Sequence, residues 1–204
     1  MTPDADEGTA ERRESTHPRG TVMTSAMLKA VANPLRRRIT NVLNRLDHAR
    51  AVDLAAELGV AANNISFHLR VLADAGLIEE APEFARDRRD RVWKVSRIPA
   101  LEVGNPEHPV EDEIAGAAFT QLIVDEHQDL VRRLIAWAPN YLQGREDVMR
   151  GTFQQRHIRL TREEFERVMG RVNEVFAEAD EAHDKDGPES LYWQVDVIAA
   201  DETI

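Results

Sequence analysis

The chain has 204 residues, of which 42% are hydrophobic and 31% charged, with a formal net charge of −11 and no cysteine. That length can bury a real core as one domain or as a small domain with an appendage, no apolar run approaches a membrane span, and the lack of cysteine excludes disulfides and thiolate metal centres. No apolar leader opens the sequence, so a cytoplasmic location is expected.

The charge is uneven along the chain. Residues 1–21 carry a net −2, residues 22–100 a net +4 and residues 101–204 a net −13. A local basic surface on an otherwise acidic protein is what a nucleic-acid-facing segment produces, although uneven charge alone is common.

Residues 1–21 are polar, rich in charge, Pro and Gly, and without periodicity, which predicts a disordered arm. Arg12, Arg13 and Arg19 lie in it, but its net acidity argues against DNA contact. A helix is predicted to begin near Met23. The next has a clear start, with Asn33 as N-cap and Pro34 at the first helical position. Leu35, Ile39, Val42, Leu43 and Leu46 form its apolar face. Arg36, Arg37 and Arg38 open it, and positive charge at a helix N-terminus calls for an anionic partner, a phosphate or an intramolecular carboxylate.

Residues 51–78, AVDLAAELGVAANNISFHLRVLADAGLI, read as two short helices around a tight turn. Val52, Leu54, Ala55 and Leu58 repeat at helical spacing, and Gly59 stands where a left-handed residue ends a helix. Ile65, Leu69 and Leu72, with His68 at their edge, lie on one face of the second helix, which ends at Gly76. Helix, short glycine-containing turn and helix with one apolar stripe is the helix-turn-helix pattern. Residues 77–96 read as a β-hairpin, with Leu77 and Ile78 in one strand and residues 91–95 in the other. Its tip, EFARDRRDR, interleaves Arg86, Arg88, Arg89 and Arg91 with Asp87 and Asp90.

Pro99, Gly104, Pro106 and Pro109 mark a boundary, giving a domain at 22–98, a linker at 99–109 and a C-terminal region at 110–204. A long helix is predicted from Val110 to about Trp137, stopped by Pro139, with a stripe that includes Ile114, Ala117, Ala118, Leu122, Ile123, Leu130, Val131, Leu134 and Ile135. Residues 150–160 alternate as a strand. Thr161 and Glu164 form a capping box for a helix carrying Phe165, Val168, Met169, Val172, Val175 and Phe176 and fading near His183. Lys185 to Pro188 make a turn, and residues 191–199, LYWQVDVIA, read as a strand. The fold class expected is mainly α with small β elements, a winged helix-turn-helix domain followed by a helix-strand-helix-strand region.

The run Leu54-Ala55-x-x-Leu58-Gly59-Val60, then Ile65-Ser66-x-His68-Leu69-x-x-Leu72, then Ala75-Gly76-Leu77-Ile78, resembles the DNA-binding core of the ArsR-type winged-helix transcriptional regulators. The upstream Leu28-Lys29-Ala30-Val31-Ala32-Asn33-Pro34-x-Arg36-x-x-Ile39 is also similar to that family's first helices, so the resemblance spans about residues 26–97. Ala61 and Ala62 depart from the pattern, since this helix commonly opens with a hydroxyl side chain. More weakly, the C-terminal layout is similar to regions attached to some actinobacterial winged-helix regulators.

The resemblance implies a regulator that binds double-stranded DNA as a homodimer, with repression more in keeping with the family than activation. Stepping 100° per residue from Ile65 turns Asn63, Phe67, Arg70 and Asp74 outward and puts Asn64 and Ser66 on the flanks. Asn pairs with adenine and Arg with guanine, Phe67 suits a thymine methyl, and Ser66 suits a phosphate. His68 is read as packing internally. Arg86, Arg88, Arg89 and Arg91 form the expected wing, with Arg36 as a further cation. Dimerisation is expected through Ile114, Ala118, Leu122, Leu130 and Leu134, against the alternative that this stripe packs within the chain. The C-terminal region is a candidate receiver for a small-molecule effector, and no cofactor is expected.

Three other functions fit the sequence less well. A non-thiolate metal sensor would draw on Asp125, Glu126, His127 and Asp129, but His127 lacks a second His at helical spacing, and the group reads as an acidic solvated face. For an enzyme there is no Gly-rich phosphate loop, HExxH or nucleophile elbow, so no catalytic role is assigned. A winged helix used as a protein-protein interaction module would present a more apolar second-helix face than Asn63, Asn64, Ser66 and Arg70 provide.

Overall fold

The computed structural model describes residues 21–98, 101–184, 187 and 189–204. The arm expected at 1–21 lies outside them except for Thr21, as does most of the turn expected at 185–188. The chain divides into two compact units, one of residues 20–155 and 189–204, the other of residues 1–19 and 156–188.

The first unit begins with β1 (Thr21–Val22) and α1 (Ser25–Val31), whose N-cap hydroxyl on Thr24 accepts from the Met27 N–H. α2 (Pro34–Leu46) starts as its sequence predicts. The Asn33 side chain accepts from the N–H of both Leu35 and Arg36 at 3.1 Å, and Pro34 fills a position whose N–H would have no helical partner. Asp47, at φ 64, turns the chain into β2 (His48–Arg50), a strand that the periodicity does not announce.

α3 (Ala51–Leu58) and α4 (Ala62–Asp74) follow. Gly59, at φ 67, ends α3 while the Val60 N–H reaches back to the Ala55 carbonyl. Gly76, at φ 73, does the same for α4 as the Leu77 N–H reaches Leu72. Both ends thus satisfy carbonyls that a helix otherwise leaves open, through a left-handed residue that glycine adopts without a Cβ penalty.

β3 (Ile78–Glu80) and β4 (Val92–Val95) are the two arms of the expected hairpin, separated by a 3-10 turn at Pro82–Phe84. β4 is central in an antiparallel sheet of order β2-β4-β3, pairing Ala49 with Trp93 on one side and Ile78 with Val95 on the other. Within the stretch predicted as linker, β5 (Leu101–Glu102) pairs in parallel with β1, Thr21 opposite Leu101.

Leu28, Ile39, Leu43, Leu54, Ile65, Leu69 and Leu72 are nearly or fully removed from solvent and form the centre of the core. α5 (Glu113–Leu142) joins it through Ala115 and Phe119. Asp112 caps α5 by accepting from the Ala115 N–H and also meets Lys29 of α1 at 3.0 Å. Arg37 of α2 donates from Nε and Nη2, one edge of its guanidinium, to Glu126 of α5, and the Asn41 amide donates to the same carboxylate at 2.7 Å. The Arg37 guanidinium also lies 5.6 Å from the centre of the Phe119 ring.

Three expectations are corrected. α5 begins at Glu113 rather than Val110 and passes Pro139 to end at Leu142. Proline removes one N–H, so the Ile135 carbonyl loses its helical partner, but Ile135 is exposed to water and less than one further turn follows. Residues 150–160 form no strand, and neither do residues 191–199. Alternating β-formers need a neighbouring ladder, and the described residues supply none. Instead Gln194 accepts from Arg133, and Asp196 stands 3.3 Å from His127, so the C-terminal segment is held to α5 by its side chains.

In the second unit α6 (Arg162–Ala182) opens on the expected capping box. Thr161 Oγ1 accepts from the Glu164 N–H, and the Glu164 carboxylate accepts from the Thr161 N–H, which holds that carboxyl below its ordinary range. No residue of α6 is buried. No helix among the described residues is long and apolar enough to cross a membrane.

The contrast between neighbouring positions of α4 gives a stability test. Leu69→Ala, at a site 1% exposed, is expected to destabilise the fold by about 2–5 kcal/mol in urea unfolding. Phe67→Ala, at a site 57% exposed, is expected to change stability by under about 1 kcal/mol. Similar losses for both would mean that the helix is rotated from this placement.

Candidate nucleic-acid interface

Burying Ile65, Leu69 and Leu72 of α4 leaves Asn63, Asn64, Ser66, Phe67, Arg70 and Asp74 exposed. The Ser66 hydroxyl donates to the Ala62 carbonyl one turn back, so its proton is used within the helix. Ala61 supplies no capping side chain, in line with the departure noted in the sequence. Arg70 makes no ion pair among the described residues.

The three arginines of α2 go separate ways. Arg36 is half-buried, and its Nε and Nη2 donate to the carbonyls of Ala30 and Lys29, closing the C-terminal end of α1. Arg37 takes Glu126, the intramolecular carboxylate that an arginine cluster at a helix start calls for. Arg38 is exposed, with one nitrogen 3.4 Å from the Leu58 carbonyl at the end of α3. Among the three, Arg38 rather than Arg36 has its guanidinium largely in solvent. Only the direction of each side chain, invisible in a run of identical residues, separates them.

At the hairpin tip the aspartates shape the backbone instead of pairing the arginines. Asp87 accepts from the N–H groups of Arg89 and Asp90, and Asp90 accepts from the Arg86 N–H. Arg86, Arg88 and Arg89 are exposed and form no ion pair among the described residues, whereas Arg91 lies 3.5 Å from Glu80. Lys94 is held by Glu83 at 2.7 Å, with Glu79 at 3.6 Å. Beneath the tip, His48 stacks on Phe84 with ring centres 3.8 Å apart. At the end of β2, Arg50 donates from Nε and Nη2 to the two carboxylate oxygens of Asp53, both at 2.8 Å. That hydrogen bond holds the Asp53 carboxyl below its ordinary range, with Arg86 adding attraction. In the sequence the only sign of this support is the spacing of Arg50 and Asp53, which no helical or strand periodicity marks.

The α5 residues are distributed between cover and solvent. Ile114 and Ala118 are exposed, while Leu122, Leu130 and Leu134 are half-buried. The Leu134 side chain lies against Gly151, where even a Cβ would meet it at 2.7 Å. The acidic group on the same helix is dispersed: Asp125 accepts from Gln121, Glu126 belongs to Arg37 and Asn41, His127 faces Asp196, and Asp129 pairs with Arg132 and Arg133. No group of three or more His, Cys, Asp or Glu among the described residues is arranged to hold a metal ion.

Residues 31–81 match the family profile described as a helix-turn-helix domain. No curated protein matches the chain. Among solved structures, it is similar to a possible transcriptional regulator for arsenical resistance, at 27% identity over 54% of this chain and 94% of that one, with a TM-score of 0.30. It is also similar to a homodimeric winged helix-turn-helix DNA-binding domain from Mycobacterium bovis, a possible ArsR-family transcriptional regulator, at 22% identity over 50% of this chain and 78% of that one, with a TM-score of 0.32. A third similar structure is the AntR antimony-specific transcriptional repressor, at 19% identity over 63% of this chain and 99% of that one, with a TM-score of 0.34.

His68, on the inner shoulder of α4, couples this face to pH. Its Nδ1 is buried without a hydrogen-bond partner among the described residues, and burial, then the nearby charge of Arg36, holds the imidazole below its ordinary pKa. The unfolded chain therefore takes up the proton first. The stability contribution is present above about pH 6.5 and is lost as pH falls through the depressed folded value. Urea unfolding at pH 7.5 and at pH 5.5 is expected to show a loss of stability that His68→Gln reduces. An undiminished loss in the variant would assign it to other groups.

Proposed function

We propose that this chain, which carries a helix-turn-helix domain over residues 31–81, is a sequence-specific, double-stranded-DNA-binding transcriptional regulator that acts in the cytoplasm as a homodimeric repressor. The observation that carries the reading is the two-sidedness of α4. Its apolar stripe is sealed in the core, and its outer face offers hydrogen-bonding side chains beside a hairpin tip where Arg86, Arg88 and Arg89 form no ion pair among the described residues.

In this reading α4 enters the major groove. Asn63, Asn64 and Arg70 meet base edges, and Phe67 meets a thymine methyl, since amide and guanidinium groups match the donor and acceptor patterns of adenine and guanine. Ser66 reaches a phosphate by turning its hydroxyl away from the helix. Arg86, Arg88 and Arg89 hold the sugar-phosphate backbone or the minor groove beside it. Arg91 joins them by leaving Glu80, and Arg36 contributes its positive field while it caps α1. Residues 22–98 are the DNA-binding domain, residues 99–109 join it to the rest, and residues 110–204 supply self-association and a place for a small-molecule effector. Ile114, Ala118, Leu122, Leu130 and Leu134 line the self-association face of α5. Two copies reading two half-sites supply affinity that one small module does not reach.

The test is a binding titration against genomic fragments and a scrambled duplex at several salt concentrations. Preferred fragments are expected to bind tightly and with strong salt dependence. Binding no better than to the scrambled duplex, by a folded dimer, would instead favour a protein-docking winged helix or an unmet effector requirement. Arg70→Ala is expected to cost about 1–3 kcal/mol and to relax discrimination at the base pair it reads. Arg88→Ala and Arg89→Ala are expected to weaken binding to all sequences and to lower the salt slope by about 1 each. Equal loss of discrimination from both kinds of substitution would refute the division between reading and anchoring.

A further inference from the structure

α6 carries an apolar repeat of which no member is buried, Val172 being half-buried and the others exposed. Phe165, Val168, Val172, Val175, Ala179 and Ala182 follow one another at alternating intervals of three and four, the spacing of a seven-residue repeat. Met169 and Phe176 widen the stripe on one flank. Phe165, Val168, Val175 and Phe176 are 41%, 42%, 59% and 45% exposed, and the outer face is polar at Glu166, Arg167, Asn173 and Glu174. On the other flank Glu164, Arg171 and Glu178 stand seven residues apart with alternating sign.

We propose that this face is covered by α6 of a second copy of the chain, running antiparallel. Antiparallel pairing sets the first position of each repeat against the fourth position of the partner helix. A single register meets all such pairs along the helix: Phe165 against Ala182, Val172 against Val175, and Ala179 against Val168. The same register brings Arg171 opposite Glu178 on one flank, twice by two-fold symmetry, and Met169 opposite Phe176 on the other. A parallel pair would instead set Glu164 against Met169 and Arg171 against Phe176, putting charge beside apolar surface with no counter-charge. The exposed ion pairs select orientation more than they add affinity. This inference deepens the homodimer reading by naming a self-contact that does not depend on α5.

The cysteine-free chain allows a direct test with full-length protein. Two variants, Phe165→Cys and Ala182→Cys, are oxidised under mild conditions, separately and mixed. The antiparallel register predicts a disulfide-linked dimer in the mixture and none from either variant alone, and Glu174→Cys on the outer face, mixed with either, stays unlinked. Adding Val175→Glu to both chains is expected to abolish the link while circular dichroism shows the helix content retained. Links from each variant alone, or none in the mixture, would overturn the antiparallel pairing. Repeating the mixture with Ile114→Glu in both chains separates this contact from the α5 reading. The link is expected to persist whether or not sedimentation shows weakened association, and its loss there would overturn the independence of α6.

Discussion

The burial of three side chains on α4 sets the orientation of everything the candidate interface presents. Ile65, Leu69 and Leu72 have almost no exposed surface, and a helix of this length has one rotation that satisfies all three. Turning α4 by a third of a revolution would bring Asn63 or Arg70 toward the core, where an unpartnered amide or guanidinium costs several kcal/mol. The glycine-ended turns on both sides then place the helix along its axis. A core requirement thus determines which polar groups face outward.

Electrostatics reinforces that placement by assigning acids and bases different work. Carboxylates in the hairpin tip bind backbone N–H groups, so they hold the turn, and Arg86, Arg88 and Arg89 form no ion pair among the described residues. Elsewhere cations are consumed in construction. Arg36 closes the end of α1, Arg50 braces α3, and Arg37 joins α2 to α5. The acidic excess lies beyond residue 100, which lets a chain of net −11 keep a net +4 over residues 22–100.

Features encoded within a few residues were legible in the sequence. Asn33 with Pro34, Gly59, Gly76 and the Thr161-Glu164 pair each act through neighbours three or four positions away, and each marks the helix end it predicts. Features that need a distant partner were not. β2 is three residues, and it is a strand because β4 lies beside it. Residues 191–199 have the composition of a strand, but side-chain contacts to α5 took the place of a ladder. Arg37 and Glu126 are 89 positions apart, so no local pattern distinguishes Arg37 from the arginines beside it. The outward positions on α4 were readable from helical geometry, whereas the end of α1 claimed by Arg36 was not.

The clamp on Glu126 has a mechanical consequence. Three donors from α2 converge on that carboxylate while Phe119 is seated in the core about two turns earlier on the same helix, so the first half of α5 cannot roll about its own axis without breaking charge-assisted hydrogen bonds and exposing an aromatic ring. Slippage there is closed off as a cheap motion. A disturbance farther along α5 has two routes to α4: it swings the helical domain as one piece, or it ruptures the clamp and releases α2. The joint behaves as a rigid elbow with a breaking point, whose threshold is set by one glutamate.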